Sequence, residues 1–174
     1  EQFAAKAGLL DANQKAIDLG YAYAKEHFTC PLPFRARTLD KTRDHIMIDG
    51  NTTAGLGCLF AGATVGAWYP ITPSTSVMDS FKRFCEKYRK DPETGKANYC
   101  IIQAEDELGA IGMVLGASWN GARSFTPTSG PGISLMNEFL GYGYFTEIPA
   151  VLFDVQRCGP STGMPTRTQQ ADLM

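Results

Sequence analysis

The sequence lacks the features that mark several large classes of protein. None of its apolar runs approaches the roughly 18 consecutive residues of a membrane-spanning helix. It carries 16 basic and 18 acidic side chains, and a net charge of −2 gives no electrostatic footprint for nucleic acid. Neither end has the pattern of a signal peptide or of a natural stop, so we expect a fragment of a longer chain. At 174 residues the sequence can form one domain of ordinary size, acting neither on a membrane nor on nucleic acid.

Metal-binding and hydrolytic patterns are missing as well. Five cysteines are present, none in C-x-x-C spacing, so we expect no metal site: Cys30, Cys58, Cys85, Cys100 and Cys158. An odd count without a signal peptide is typical of reduced thiols in the cytoplasm. The histidines are His27 and His45 alone, and no G-x-S-x-G elbow exists. Hydrolase chemistry is therefore not expected.

Charge is scarce in the second half of the chain. Between Ala97 and Met174 there is no lysine, and the basic residues are Arg123, Arg157 and Arg167. A parallel sheet buries its strands on both faces and so dilutes charge. A surface that faces another polypeptide would also be poor in charge. Both explanations stay open at this point.

The first 43 residues read as an arm before the main domain. Apolar side chains recur at helical spacing over residues 10–28. The segment Cys30–Arg35 contains two prolines and cannot continue a helix. We therefore predict a helix and an extended linker over 1–43, and a domain over 44–174.

Strands and helices alternate in that domain. The apolar run Ile46–Ile48 predicts a strand, and the small apolar segment 52–66 predicts a helix. The pattern continues with helices at 74–89, 106–120 and 131–145 and strands at 99–103, 123–126 and 150–155. Such alternation indicates an α/β fold with a mostly parallel sheet. The loops that follow the strands would meet at one edge, where ligands bind: 49–54, 103–107, 126–132 and 156–166.

Two of these loops offer contrasting candidates. The glycines of 50–57 suggest phosphate binding, but they lack both the Walker ending and the G-x-G-x-x-G spacing, which favours close packing of a helix on the sheet. Glu107 stands at a predicted helix start, where any acid suits the helix dipole. Small and apolar residues follow it directly, so its carboxylate would need a hydrogen-bonding partner.

Two further segments allow a structural or a functional explanation. The prolines of 69–74 stiffen a loop that carries the hydroxyl of Thr72, although spacing alone favours a stiff helix-to-helix connector capped by Ser74. Arg157 follows a predicted strand and suits a bidentate grip on a carboxylate. A structural ion pair is the alternative.

Taken together, four motifs resemble the α chain of the 2-oxoacid:ferredoxin oxidoreductases, in the domain that binds the pyrimidine end of thiamine diphosphate. They are YPITPS at 69–74, QAEDELGA at 103–110, TSGPG at 128–132 and RCGPSTGMPT at 157–166. The resemblance implies a three-layer αβα sandwich, truncated at its C-terminus. It also implies that residues 1–43 are the linker from a preceding γ-type domain.

The resemblance assigns roles to individual residues. Glu107 would hydrogen-bond N1′ of the aminopyrimidine, which Tyr69, Pro70 and Ile71 would also contact. Thr72 would touch the 2-oxoacid near the reacting centre, and Arg157 would bind its carboxylate. Thr162 and Thr166 match the 2-oxoglutarate type better than the pyruvate type.

The resemblance also assigns parts that lie outside this chain. A β subunit would hold the diphosphate, Mg²⁺ and a [4Fe-4S] cluster, and coenzyme A and ferredoxin would complete the oxidative decarboxylation. Two alternatives remain: a non-oxidative thiamine diphosphate enzyme, or a non-catalytic nucleotide-binding or assembly module.

Overall fold

The computed structural model describes residues 7–156, and the chain divides into two units between Ile46 and Met47. In the first unit α1 spans Ala7–His27, confirming the helix expected over 10–28. Residues 28–39 form neither helix nor strand, as their prolines require, and a single 3₁₀ turn covers Asp40–Thr42.

The second unit is an α/β structure, as predicted. Its helices are α2 (Gly50–Phe60), α3 (Thr75–Tyr88), α4 (Glu107–Trp119) and α5 (Gly130–Phe145). Its strands are β1 (Val65–Trp68), β2 (Cys100–Gln103), β3 (Ser124–Thr128) and β4 (Val151–Asp154). The strand order is β2-β1-β3-β4, and every pair is parallel.

Two helical layers cover the sheet and create two cores. On one face α2 and α3 pack over the strands around Phe81 and Phe125, whose rings meet edge to face at 4.8 Å. On the other face α4 and α5 pack around Ile111 and Met136, both fully buried. All five residues of β3 are buried, as expected for a strand covered on both faces. The three-layer αβα sandwich is thereby confirmed.

Two expectations about the start of the domain were wrong. Residues 46–48 form no strand, and Met47 is fully exposed. The helix predicted over 52–66 ends at Phe60, and β1 begins at Val65. The helix stops because Gly62 adopts a left-handed φ of +83° while its N–H returns to the carbonyl of Leu59. The first strand of the sheet is therefore β1.

The termini of α2 are held by side chains. At its N-terminus Asp49 accepts hydrogen bonds from the backbone N–H of Thr52 at 2.8 Å and from the Thr52 hydroxyl at 2.6 Å. These bonds hold the pKa of Asp49 below its usual value. At its C-terminus Arg89 donates to the carbonyls of Leu59 and Ala63, and Arg123 donates to that of Ala61. Cationic side chains thus occupy the end where they complement the helix dipole.

Candidate functional site

The carboxyl ends of the strands form an edge with a topological switch point. From β1 the chain leaves through α3 on one face of the sheet, and from β3 it leaves through α5 on the other. Where neighbouring strands send their connections to opposite faces, a crevice opens beyond the strand ends. The segments bordering this edge are 69–74 after β1, 104–106 after β2 and Ser129 after β3.

The loop after β1 is fixed by its own backbone and by α2. The carbonyl of Ile71 accepts from the N–H and the hydroxyl of Ser74, both at 2.8 Å. The Asn51 amide donates to the carbonyl of Pro73 at 3.0 Å, so the start of α2 holds the loop from outside. Ser74 is fully buried, whereas Thr72 and Tyr69 are exposed. The loop therefore presents the Thr72 hydroxyl from a rigid support.

Glu107 is the first residue of α4 and is buried, with 6% of its surface exposed. The preceding residue, Asp106, caps the helix by accepting from the N–H of Gly109 at 2.6 Å. Capping is thus done by Asp106. Within residues 7–156 no side-chain hydrogen bond engages the buried Glu107 carboxylate.

The end of β3 brings further polar groups to the same place. Thr126, Thr128 and Ser129 are fully buried, and their hydroxyls have no hydrogen-bond partner in the described part of the chain. A Cβ atom on Gly132 would lie 2.0 Å from Oγ1 of Thr128 and 3.0 Å from Cγ of Glu107. Only glycine fits there, so α5 begins directly against these two side chains.

Asp154 ends β4 beside this group. It is the register partner of Thr128 on the neighbouring strand, and its Oδ1 is buried with no partner among the described residues. Burial raises the pKa of its carboxyl. Sequence analysis gave no role to Asp154 or Thr128. For Asp154 the available signal was an acidic residue at the end of an otherwise apolar strand. Thr128 gave no such signal, because β3 also carries Ser124 and Thr126.

The edge collects several of the predicted site residues. The loop with Tyr69, Pro70, Ile71 and Thr72 follows β1, and Glu107 follows β2, its immediate neighbour in the sheet. Thr72 reaches this edge because of β1, a strand the sequence interpretation missed. Arg157, Thr162 and Thr166 lie outside the described residues.

The glycine-rich turn at 50–57 does not have the character of a phosphate site. The Asp49 carboxylate already occupies the N-terminus of α2. Gly55 allows close packing, but of α2 on α3 rather than of a helix on the sheet. A Cβ on Gly55 would lie 2.8 Å from the backbone nitrogen of Phe81. Among residues 7–156 no three His, Cys, Asp or Glu side chains lie close enough together to hold a metal ion.

A cavity lies at the other end of the strands, opposite the edge that carries Glu107. Its volume is about 430 Å³, and its walls are almost entirely apolar, with Cys58, Ser124 and Val151 among them. Ser124 and Val151 begin β3 and β4, so this cavity lies at the amino edge, away from Glu107.

No helix in the described residues is both long and apolar enough to span a bilayer.

Comparison with known proteins identifies the family. The family described as "Pyruvate flavodoxin/ferredoxin oxidoreductase, thiamine diP-bdg" matches residues 56–174, well over half of the chain. The chain belongs to this family. The matched residues include the loop that carries Thr72. They also include Glu107 and the hydroxyl-bearing residues of β3.

Two curated relatives of this chain are named as subunits of 2-oxoglutarate enzymes. The 2-oxoglutarate synthase subunit KorA of Methanocaldococcus jannaschii is 46% identical over 127 residues, which are 73% of this chain and 32% of that protein. The 2-oxoglutarate oxidoreductase subunit KorA of Mycobacterium tuberculosis is 39% identical over 100% of this chain and 26% of its own length. The chain thus spans about a third or less of these relatives.

A solved structure supports the fold assignment. The 2-oxoglutarate:ferredoxin oxidoreductase from Magnetococcus marinus, with 2-oxoglutarate, coenzyme A and succinyl-CoA bound, is 40% identical to this chain. The similarity covers 99% of this chain and 28% of that one, with a TM-score of 0.73. At that identity and TM-score the two chains share the αβα fold.

Proposed function

We propose that this chain holds the pyrimidine end of thiamine diphosphate in a 2-oxoacid:ferredoxin oxidoreductase, with 2-oxoglutarate as the substrate. The observation that carries the proposal is Glu107, a buried carboxylate at the switch-point edge whose oxygens make no side-chain hydrogen bond within residues 7–156. A carboxylate in that setting fits the ring nitrogen N1′ of an aminopyrimidine. Coenzyme A and 2-oxoglutarate bound in the Magnetococcus enzyme support the substrate.

The proposed overall reaction converts the 2-oxoacid, coenzyme A and two oxidised ferredoxins into the acyl-CoA, CO₂, a proton and two reduced ferredoxins. Bound thiamine diphosphate supplies the electron sink for the loss of CO₂. Glu107 hydrogen-bonds N1′ and sets the proton distribution of the aminopyrimidine. Tyr69, Pro70 and Ile71 form the wall against that ring.

Substrate binding is assigned to two segments. Thr72, exposed on its rigid loop, donates its hydroxyl to the 2-oxoacid. Arg157, with Thr162 and Thr166 further along, binds the substrate carboxylates, and its planar fork suits bidentate contact. The relatives named for 2-oxoglutarate favour this substrate over pyruvate.

The remaining parts of the machinery are assigned to other chains and segments. A β subunit holds the diphosphate, Mg²⁺ and a [4Fe-4S] cluster, and ferredoxin collects the electrons. Residues 1–43 act as the linker before the domain over 44–174. The relatives are named as subunits, in agreement with an assembly of this kind.

The first prediction concerns Glu107 itself. Glu107→Gln in the complete enzyme should lower turnover at saturating thiamine diphosphate by at least about a hundredfold, the usual scale of lost proton-transfer catalysis. Glu105→Gln is the matched control, because Glu105 is exposed and lies two residues earlier. Turnover is followed by ferredoxin reduction. Wild-type turnover in Glu107→Gln would refute the cofactor role.

The second prediction concerns the substrate. The specificity constant kcat/KM for 2-oxoglutarate should exceed that for pyruvate by at least about tenfold, since a second carboxylate adds a charge-assisted contact. Both are measured with the same enzyme and ferredoxin. A preference for pyruvate would remove the 2-oxoglutarate assignment and leave the general reaction in place.

A further inference from the structure

Asn51 is a polar residue near the start of α2 that the proposed reaction leaves without a role. It is half-buried, and its side-chain amide donates two hydrogen bonds across to the segment between β1 and α3. One bond reaches the carbonyl of Pro73 at 3.0 Å, and the other reaches the hydroxyl of Ser76 at 2.8 Å. An amide nitrogen carries two protons, so both of its donors hold this one segment.

The two bonds lie directly beside Thr72. The carbonyl of Ile71, before Thr72, is held by the N–H and the hydroxyl of Ser74, which belong to the loop itself. The carbonyl of Pro73, after Thr72, is held by Asn51. Within residues 7–156 no other side chain from outside 69–76 hydrogen-bonds to the loop at 69–74. Asn51 is therefore the link that ties the backbone next to Thr72 to another element.

The support behind Asn51 is itself fixed. Asp49 caps α2 through the N–H and the hydroxyl of Thr52, at 2.8 Å and 2.6 Å, so the turn that carries Asn51 is closed. The hydroxyl of Ser80 on α3 donates to the Thr52 hydroxyl at 3.3 Å. Gly55 brings the backbones of α2 and α3 into close approach. The Asn51 amide thus holds the loop from a rigid base.

We propose that Asn51 is a positioning residue for Thr72. By holding the Pro73 carbonyl, its amide fixes the direction in which the exposed Thr72 hydroxyl meets the 2-oxoacid. The inference rests on the proposed function, from which the substrate contact of Thr72 is taken. A contact group that is held in place before the substrate arrives loses less conformational freedom on binding, so its loss is felt in substrate binding and turnover.

The test compares three variants of the complete enzyme. Asn51→Asp keeps the size of the side chain, suits the start of a helix and removes both amide protons. Ser76→Ala removes one acceptor and leaves the Pro73 carbonyl in place. Asn120→Asp is the matched control, because the Asn120 amide also donates to a backbone carbonyl, that of Gly116 at 2.8 Å. It lies at the C-terminus of α4, away from the strand ends that the loop follows.

Asn51→Asp should lower kcat/KM for the 2-oxoacid by about tenfold, because small misplacements of a contact group are costly. The affinity for thiamine diphosphate, measured by calorimetry, should stay unchanged, since Glu107 lies on a different element. Ser76→Ala should remain close to the wild type. Equal losses of kcat/KM in Asn51→Asp and Asn120→Asp would overturn the proposal, and so would an equal loss of cofactor affinity. If aspartate prevents assembly, Asn51→Ala against Asn120→Ala repeats the comparison.

A double-mutant cycle separates this inference from the function on which it rests. If Asn51 acts through Thr72, Asn51→Asp should change kcat/KM little in the Thr72→Val background. Additive losses would overturn the positioning role. A normal Thr72→Val enzyme would refute the substrate contact in the proposed function, whereas an impaired Thr72→Val with a normal Asn51→Asp would refute only the inference.

Discussion

Two buried thiols, Cys58 on α2 and Cys85 on α3, differ sharply from the exposed Cys30 and Cys100. Burial raises the pKa of Cys58 to about 11, and the neighbouring Cys85 adds to the effect. Burial likewise raises the pKa of Cys85, although Arg89 opposes it. The thiolate is the reactive form of cysteine, so both buried residues should behave as small apolar side chains.

Alkylation of the folded protein at pH 8 should therefore label Cys30 and Cys100 and spare Cys58 and Cys85. At a pKa of about 11 only roughly one Cys58 thiol in a thousand is ionised at that pH. Peptide mass spectrometry before and after denaturation gives the comparison. Labelling of Cys58 in the folded state would contradict the assigned environment.

The raised pKa of Cys58 also predicts how the stability of the fold changes at alkaline pH. The folded-state pKa of Cys58 lies above the 9.0 of an unperturbed thiol, so the folded protein holds this proton more tightly than the unfolded chain does. The stabilisation that results from this tighter proton binding is complete below pH 9 and is lost as the pH rises through about 11. Cys58→Ala should show a smaller drop in unfolding midpoint over that interval than the wild type does.

The residues of the site differ in how far sequence could identify them. Glu107 and Thr72 were selected because motif and polarity coincided at predicted loops. Thr128 and Asp154 were not selected, because the absence of a hydrogen-bond partner for them among residues 7–156 depends on side-chain packing across the sheet. A sequence shows that a hydroxyl is present, but hydrogen bonding is decided by neighbours distant along the chain.

At the scale of elements, the helices and the later strands followed from periodicity, and the first strand did not. The segment Val65–Trp68 contains glycine and alanine and continues the small, apolar character of α2. Gly62 was the missed signal, since its positive φ ends the helix. Three consecutive apolar residues at 46–48 were not sufficient for a strand, because no neighbouring strand pairs with them in the structure.

The packing of α2 on α3 yields a matched pair of substitutions. A Cβ on Gly55 would stand 2.8 Å and 2.9 Å from backbone atoms of Phe81 and Val77, which cannot turn aside. Gly57, on the same helix, has nothing within 4 Å of its Cβ position. Gly55→Ala should thus destabilise the domain by about 1–3 kcal/mol through overpacking.

Gly57→Ala should be neutral or should stabilise by up to about 1 kcal/mol, because alanine favours the helix. Urea denaturation of both variants, compared with the wild type, measures the difference. The packing argument fails if the two substitutions change the free energy of unfolding equally.

At the scale of the whole molecule, the scarcity of charge after Ala97 has one structural cause and one proposed cause. The fully buried β3 and the two covered faces account for part of it. The helix α5 adds a different observation, because five of its large apolar residues are exposed: Leu135, Leu140, Tyr142, Tyr144 and Phe145. We propose that this exposed apolar surface of α5 contacts another polypeptide.

This arrangement predicts how the 174-residue chain behaves without its partner. In the proposed function, Glu107 and the loop at Tyr69–Thr72 hold one end of thiamine diphosphate, and the β subunit holds the diphosphate and Mg²⁺. The isolated chain should therefore bind the cofactor weakly or not at all, because charge-assisted phosphate contacts are the strongest interactions available to such a ligand. Calorimetry with the chain alone and with the assembled enzyme measures both affinities. The split site would be wrong if the isolated chain bound thiamine diphosphate with micromolar affinity that Glu107→Gln abolished.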